Sequence, residues 1–125
     1  MRVLLIDDDA LVRLTLVDTL AEEGIEVDGL ANAEDALILL GAGQVPDVLV
    51  ADIDLGAGLS GLDLASIAQE RHPGVEVILI SGTSPALGQP STGRHERFLR
   101  KPFAPAALAE AIRAASAAAA ARTAT

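Results

Sequence analysis

Apolar residues in this chain come in short runs separated by stretches of helical period. Five runs read as strands, at residues 3–6, 25–30, 48–51, 75–80 and 97–99. The runs at 3–6, 48–51 and 75–80 are almost continuously apolar, the pattern of parallel strands covered by helices on both faces. Run 25–30 alternates, Ile25 and Val27 against Glu26 and Asp28, which suits the edge of a sheet. After the first run, Val12, Leu16 and Leu20 recur every fourth residue on one helical stripe, and Gly24 is a good stop. Asn32 can cap a helix over 33–40, with Asp35 three residues on and Gly41 past its end. A third helix covers 62–71 and is closed by Pro73; Pro105 opens the last, with Leu108 and Ile112 facing inward.

Strands alternating with helices over 125 residues imply one α/β domain, a doubly wound open sheet with right-handed crossovers. For five parallel strands the expected order is the flavodoxin-like 2-1-3-4-5. No repeat or linker divides residues 1–125, and the Ala-rich stretch 114–121 extends the last helix before the tail to 125 frays. One interval breaks the pattern. In 84–96, where a fourth crossover helix belongs, Pro85, Gly88, Pro90 and Gly93 fall within nine residues, and the apolar residues are Ala86 and Leu87. An interior Pro costs ~3 kcal/mol and each Gly ~1, which so small a stripe cannot offset. No helix beyond about one turn is predicted there.

The formal net charge of -9 argues against nucleic-acid binding, which needs a basic face to displace counterions from phosphates. No apolar run reaches the ~18–20 residues of a membrane span. No charged leader with a cleavage site precedes Val3, and there is no cysteine for a disulfide or thiolate metal site; a cytoplasmic protein is expected.

In a doubly wound sheet, ligands bind beyond the carboxyl ends of the strands, at the switch between strands 1 and 3. Strand 1 delivers Asp7 and Asp8 there, strand 3 delivers Asp52, strand 4 delivers Ser81 and strand 5 delivers Lys101. Three converging carboxylates repel unless something positive sits among them, and at least one should hold its proton to higher pH than a free carboxyl. Carboxylate oxygens with room for water are what Mg²⁺ prefers. Asp9, just before the first helix, is expected to cap it rather than bind metal. Lys101 is the one lysine among nine Lys and Arg residues, a compact point charge on a long stem in a chain that otherwise uses Arg.

Taken together, IDDDALVR at strand 1, VLVAD at strand 3, VILISG at strand 4 and FLRKPF at strand 5 resemble the receiver domain of two-component response regulators, over the whole chain. The resemblance implies that Asp52 accepts a phosphoryl group from a histidine kinase or histidine phosphotransfer protein. It implies Mg²⁺ bound directly by Asp8, mainly through water by Asp7, and by the backbone carbonyl of Asp54, with Asp52 also among the metal residues. Lys101 takes the conserved lysine position, Ser81 the switch hydroxyl, Phe98 the aromatic switch, and the Lys101–Pro102 bond is cis. Such a protein is no enzyme beyond self-catalysed transfer to, and hydrolysis from, Asp52. As a single-domain regulator it acts on a downstream protein, with no part for nucleic acid or membrane, and Arg94, Arg97 and Arg100 would lie near its output surface. Two features depart from the family pattern: DIDLGAGLSG lacks a proline after the acceptor and places Gly61 nine residues on, and the 84–96 interval lacks helical character.

DIDLG also resembles the nucleophile motif of haloacid-dehalogenase-type phosphatases. That reading expects the motif on strand 1 and a second acidic motif late in the chain, whereas here it lies on strand 3 and Glu110 is the one acid beyond Lys101. A third reading is a receiver-like docking module that is never phosphorylated; it expects a gap in the constellation.

Overall fold

A computed structural model of the chain describes residues 1–56, 58–82 and 95–123. The elements run β1 (Arg2–Ile6), α1 (Ala10–Glu22), β2 (Glu26–Leu30), α2 (Ala33–Gly41), β3 (Val48–Asp52), α3 (Gly61–Arg71), β4 (Glu76–Ser81), β5 (Glu96–Arg100) and α4 (Pro105–Thr123). All strand pairs are parallel, and the sheet order is β2-β1-β3-β4-β5, as the alternation predicts. The poorly formed fourth crossover helix anticipated within 84–96 falls, up to Arg94, outside the described residues; its last residue, Glu96, opens β5.

Side-chain alternation splits the core into two layers. Val3, Leu5, Val48, Val50, Ile78 and Ile80 face α1 and α4, which contribute Leu16, Leu20, Leu108 and Ile112. Leu4, Ile6, Leu49, Ala51, Val77 and Leu79 face α2 and α3, where Ala33, Ala36, Ala65 and Ala68 let the helices lie close. The three central strands are therefore buried on both faces, which is why they read as continuous apolar runs. β2 is the alternating edge strand.

Several boundaries differ from the sequence reading for local reasons. Gly41 is the last residue of α2 rather than the stop beyond it, and Ala42 caps the helix. α3 begins at Gly61 because Ser60 and Asp63 form a reciprocal capping box, a signal visible as S-x-x-D. Val12 does not join the inner stripe of α1: Leu16 and Leu20 are buried, while Val12 is exposed beside the strand ends. The Ala-rich segment continues α4, which runs to Thr123.

β4 holds a feature that its sequence hides. Glu76, the first residue of β4 and the one charged residue in that strand, is 1% exposed. Its carboxylate accepts from Arg97 Nη1 at 2.7 Å and lies 3.2 Å from His95 Nδ1, so Arg97 of β5 supplies a cation, and His95 just before it a ring nitrogen, to a buried acid of β4. Burying a carboxylate is costly unless it is paired. Arg97 is thus engaged with Glu76 at the sheet edge while remaining half-exposed; Arg94 lies outside the described residues, and Arg100 is exposed. Arg97→Ala, which removes one partner of a buried acid but from a half-exposed position, is expected to cost about 1 kcal/mol. Denaturant unfolding should show a lowered midpoint, with Arg100→Ala near wild type.

Candidate functional site

The register of the sheet brings the polar strand ends together. Ile6 pairs with Ala51 and Ala51 with Leu79, so Asp7 and Asp52 follow as neighbours. Ser81 pairs with Arg100, and Lys101 follows, its amide donating to the Ser81 carbonyl at 2.8 Å. Asp7, Asp8, Asp9, Asp52, Asp54, Ser81 and Lys101, with Val12, Ile53 and Gly82, line one pocket of about 330 Å³. A slightly larger cavity, of about 420 Å³, opens elsewhere beside Asp47 and His72 and holds none of these groups.

Lys101 Nζ donates to Asp52 Oδ2 at 2.5 Å, and Asp52 Oδ1 accepts from the Asp54 amide at 3.0 Å. Asp52 is 4% exposed, so its carboxylate is held between a cation and a backbone donor, away from bulk water. That hydrogen bond is the main reason the Lys101 ammonium holds its proton above the usual lysine value, with desolvation opposing it. Asp7 is also buried, and Asp7 Oδ1 accepts from the Asp9 amide at 2.9 Å. Asp9 caps α1, accepting from the Leu11 and Val12 amides at 3.0 and 3.2 Å. Asp8, by contrast, is exposed at the pocket mouth.

The loop after Asp52 is shaped by contacts that spacing alone does not reveal. The Gly61 amide donates to the Ile53 carbonyl, and a Cβ on Gly61 would lie 2.2 Å from the Asp52 carbonyl oxygen. Only glycine permits α3 to start against the backbone of Asp52, which gives the glycine nine residues on its physical reason. Asp54 is exposed, its side chain accepting from the Gly56 amide at 3.2 Å. Ser81 is buried at the end of β4. Phe98 stands opposite Leu79, on the sheet face that Ser81 shares by alternation, and packs against the α2 and α3 layer. The Lys101–Pro102 bond is cis. The sequence reading missed Arg13, whose Nη1 donates to the Asp7 carbonyl at 2.7 Å and ties α1 to the end of β1.

Among the described residues, no group of three or more Asp, Glu, His or Cys side chains makes a metal-holding cluster on its own. The pocket fits a cation that takes few carboxylates and keeps its water, which is the habit of Mg²⁺. The donors are hard oxygens, Asp8 is open to solvent, and Asp7 carries the electrostatic sign of a cation-seeking site. Burial is the largest cause raising the Asp7 pKa, and the charges of Asp52 and Asp8 add to it against the Asp9 amide and Lys101.

A doubly wound parallel sheet that gathers acids and one lysine in a pocket at its strand ends is the class of protein that this fold and this pocket define. The comparisons agree. The model of the response regulator receiver domain matches residues 3–113. The C4-dicarboxylate transport transcriptional regulatory protein DctD of Pseudomonas aeruginosa is 36% identical over 114 residues, covering 90% of this chain and 24% of that protein. A protein-glutamate methylesterase/protein-glutamine glutaminase of Anaeromyxobacter dehalogenans is 37% identical over 91 residues, 72% of this chain and 25% of its own. The crystal structure of a response regulator receiver protein from Sinorhizobium medicae superposes with a TM-score of 0.87 at 28% identity, covering 95% of this chain and 96% of that one. The chain belongs to the response regulator receiver domain family of two-component signalling. It spans about a quarter of the length of those two curated relatives.

The raised Asp7 pKa has a definite sign for stability. The folded state binds this proton more tightly than the unfolded chain, so the contribution is fully present below the unfolded value near 3.8 and is lost as pH rises through the raised value. At neutral pH and without metal, ionised Asp7 opposes folding. Asp7→Asn, which keeps the acceptor for the Asp9 amide, is therefore expected to melt at a higher temperature than wild type at pH 7 in EDTA. The difference should shrink as the pH falls toward 3.8.

Proposed function

We propose that this receiver takes a phosphoryl group from the phosphohistidine of a histidine kinase or histidine phosphotransfer protein onto Asp52, and that it acts through a downstream protein partner. The observation that carries the reading is the Lys101–Asp52 pair at 2.5 Å, set in a pocket that Asp7 and Asp8 also line. A carboxylate is already ionised at pH 7, so Asp52 needs no general base. An Asp52 oxygen forms the new O–P bond as the P–N bond to the donor imidazole breaks, and the leaving imidazole takes up a proton. Lys101 holds the acceptor in line and, by a short swing from Asp52, meets the negative oxygens of the arriving group. The burial of Asp52 limits competing attack by water.

Receiver domains generally bind Mg²⁺ at the phosphorylation site; here Asp8 and Asp52 would hold it directly, Asp7 mainly through water and Asp54 through its backbone carbonyl. When bound, it supplies Lewis-acid charge neutralisation at the phosphoryl oxygens. The Ser81 hydroxyl is proposed to close on the acyl phosphate and Phe98, two positions along the same sheet face, to follow it inward. No helix among the described residues is long and apolar enough to cross a membrane, which goes with the cytoplasmic setting of this reading. No catalytic role is assigned beyond formation and hydrolysis of the aspartyl phosphate. The complete constellation favours this reading over a docking module that is never phosphorylated.

Incubation with acetyl phosphate and Mg²⁺ should add one phosphoryl mass to wild type and none to Asp52→Asn. Labelling that persists in the variant would reassign the acceptor, and a wild type that never labels would favour the docking module. In Mg²⁺ titrations, Asp8→Ala should lose the most affinity, Asp7→Ala less, and Asp9→Ala little, though removing its cap should cost about 1 kcal/mol of stability.

A further inference from the structure

The loop between β3 and α3 has no proline to fix its path, yet it carries Asp54 past the mouth of the pocket. Its ends are held locally. The Asp54 amide donates to Asp52 Oδ1, the Gly56 amide to Asp54 Oδ1 at 3.2 Å, and the Ser60–Asp63 box starts α3. Its far side is held from another helix: the Leu59 amide donates to Glu34 Oε2 at 3.1 Å, across 25 residues of sequence. Glu34 stands in the first turn of α2, where the free helical amides favour an acid. Beside it, Gly58 has φ +91°, and a Cβ there would lie 2.8 Å from Glu34 Oε2. Gly58 thus supplies both the left-handed turn and the space that the carboxylate fills. On the opposite side, a Cβ on Gly56 would sit 3.3 Å from Asp8 Oδ2, so the same loop borders the exposed acid at the pocket mouth.

We infer that Glu34 is a positioning residue for the phosphoacceptor pocket: by clamping the 58–59 turn, it sets where the 54–56 stretch runs relative to Asp8 and Asp52. The inference rests on the phosphoacceptor reading above. Glu34 touches neither the acceptor nor Lys101 and acts only through the loop. A carboxylate suits the task, because it accepts from a backbone amide without adding a positive charge that would compete for the acids at the mouth.

The test is calorimetric Mg²⁺ titration of wild type, Glu34→Ala and Glu34→Gln, with amide exchange at Gly56 and Leu59 and thermal melts of all three. The alanine variant is expected to bind Mg²⁺ about three- to fivefold more weakly, the scale of an exposed charged contact, with faster exchange at both amides and a melting temperature close to wild type. Glu34→Gln keeps an acceptor and should restore most of the affinity and protection. In a double-mutant cycle, Gly58→Ala should cost less Mg²⁺ affinity when Glu34 is already Ala. Wild-type affinity in Glu34→Ala despite faster Leu59 exchange would overturn the coupling. Equal weakening in Gln and Ala would overturn it too, because loss of charge alone would then explain the effect. Failure of wild type itself to bind Mg²⁺ would sink the phosphoacceptor reading, a result distinct from either.

Discussion

Crowded negative charge is the constraint around which this molecule is arranged. Parallel pairing of β1 with β3 sets Asp7 and Asp52 side by side, and burial denies both the screening that water would give. Lys101 on Asp52 offsets part of the repulsion; burial first, and then the charges of Asp52 and Asp8, raise the Asp7 pKa. The site is thus held short of electrostatic balance. Asp7 and Asp52 are already desolvated and oriented, the pre-organisation that the proposed transfer would draw on.

The scaffold can hold that tension because the rest of it is conventionally packed. Two apolar layers sandwich the central strands, and small residues on α2 and α3 bring those helices onto the sheet. The other buried acid, Glu76, is paired with Arg97 of β5 and lies beside His95, and so behaves as structure rather than chemistry. The contrast is informative: Glu76 is paired along the sheet edge, whereas Asp7 and Asp52 converge on an open pocket. Chemistry is expected where charge is left in excess, not simply where it is buried.

The curated relatives attach the same domain to a transcriptional regulator in one case and a methylesterase in another, so the receiver fold fixes how the signal is taken up and leaves its output to whatever it meets. In this chain the segment leading into β5 and the loop after Asp52 depart most from the common family pattern. Neither departure displaces Lys101 or the acids from the pocket at the strand ends.

Much of this was legible in the sequence, because strand and helix periods, the caps at Asp9 and Asn32, and the polar residues ending each apolar run are local properties of the chain. The lone Lys101 and the acids at 7, 8 and 52 could be assigned to one place once the alternation implied a doubly wound sheet, since that topology puts all such ends on one edge. What the tertiary structure alone decided are the partnerships. Arg97 reaches Glu76 across 21 residues, Glu34 reaches Leu59 across 25, and Gly61 is pressed against the Asp52 carbonyl. Val12 turned from the core to the pocket because it lies in the first turn of α1, just past the end of β1. Period tells which face a residue occupies; strand register and helix placement, which are set by packing of the whole core, decide what that face meets.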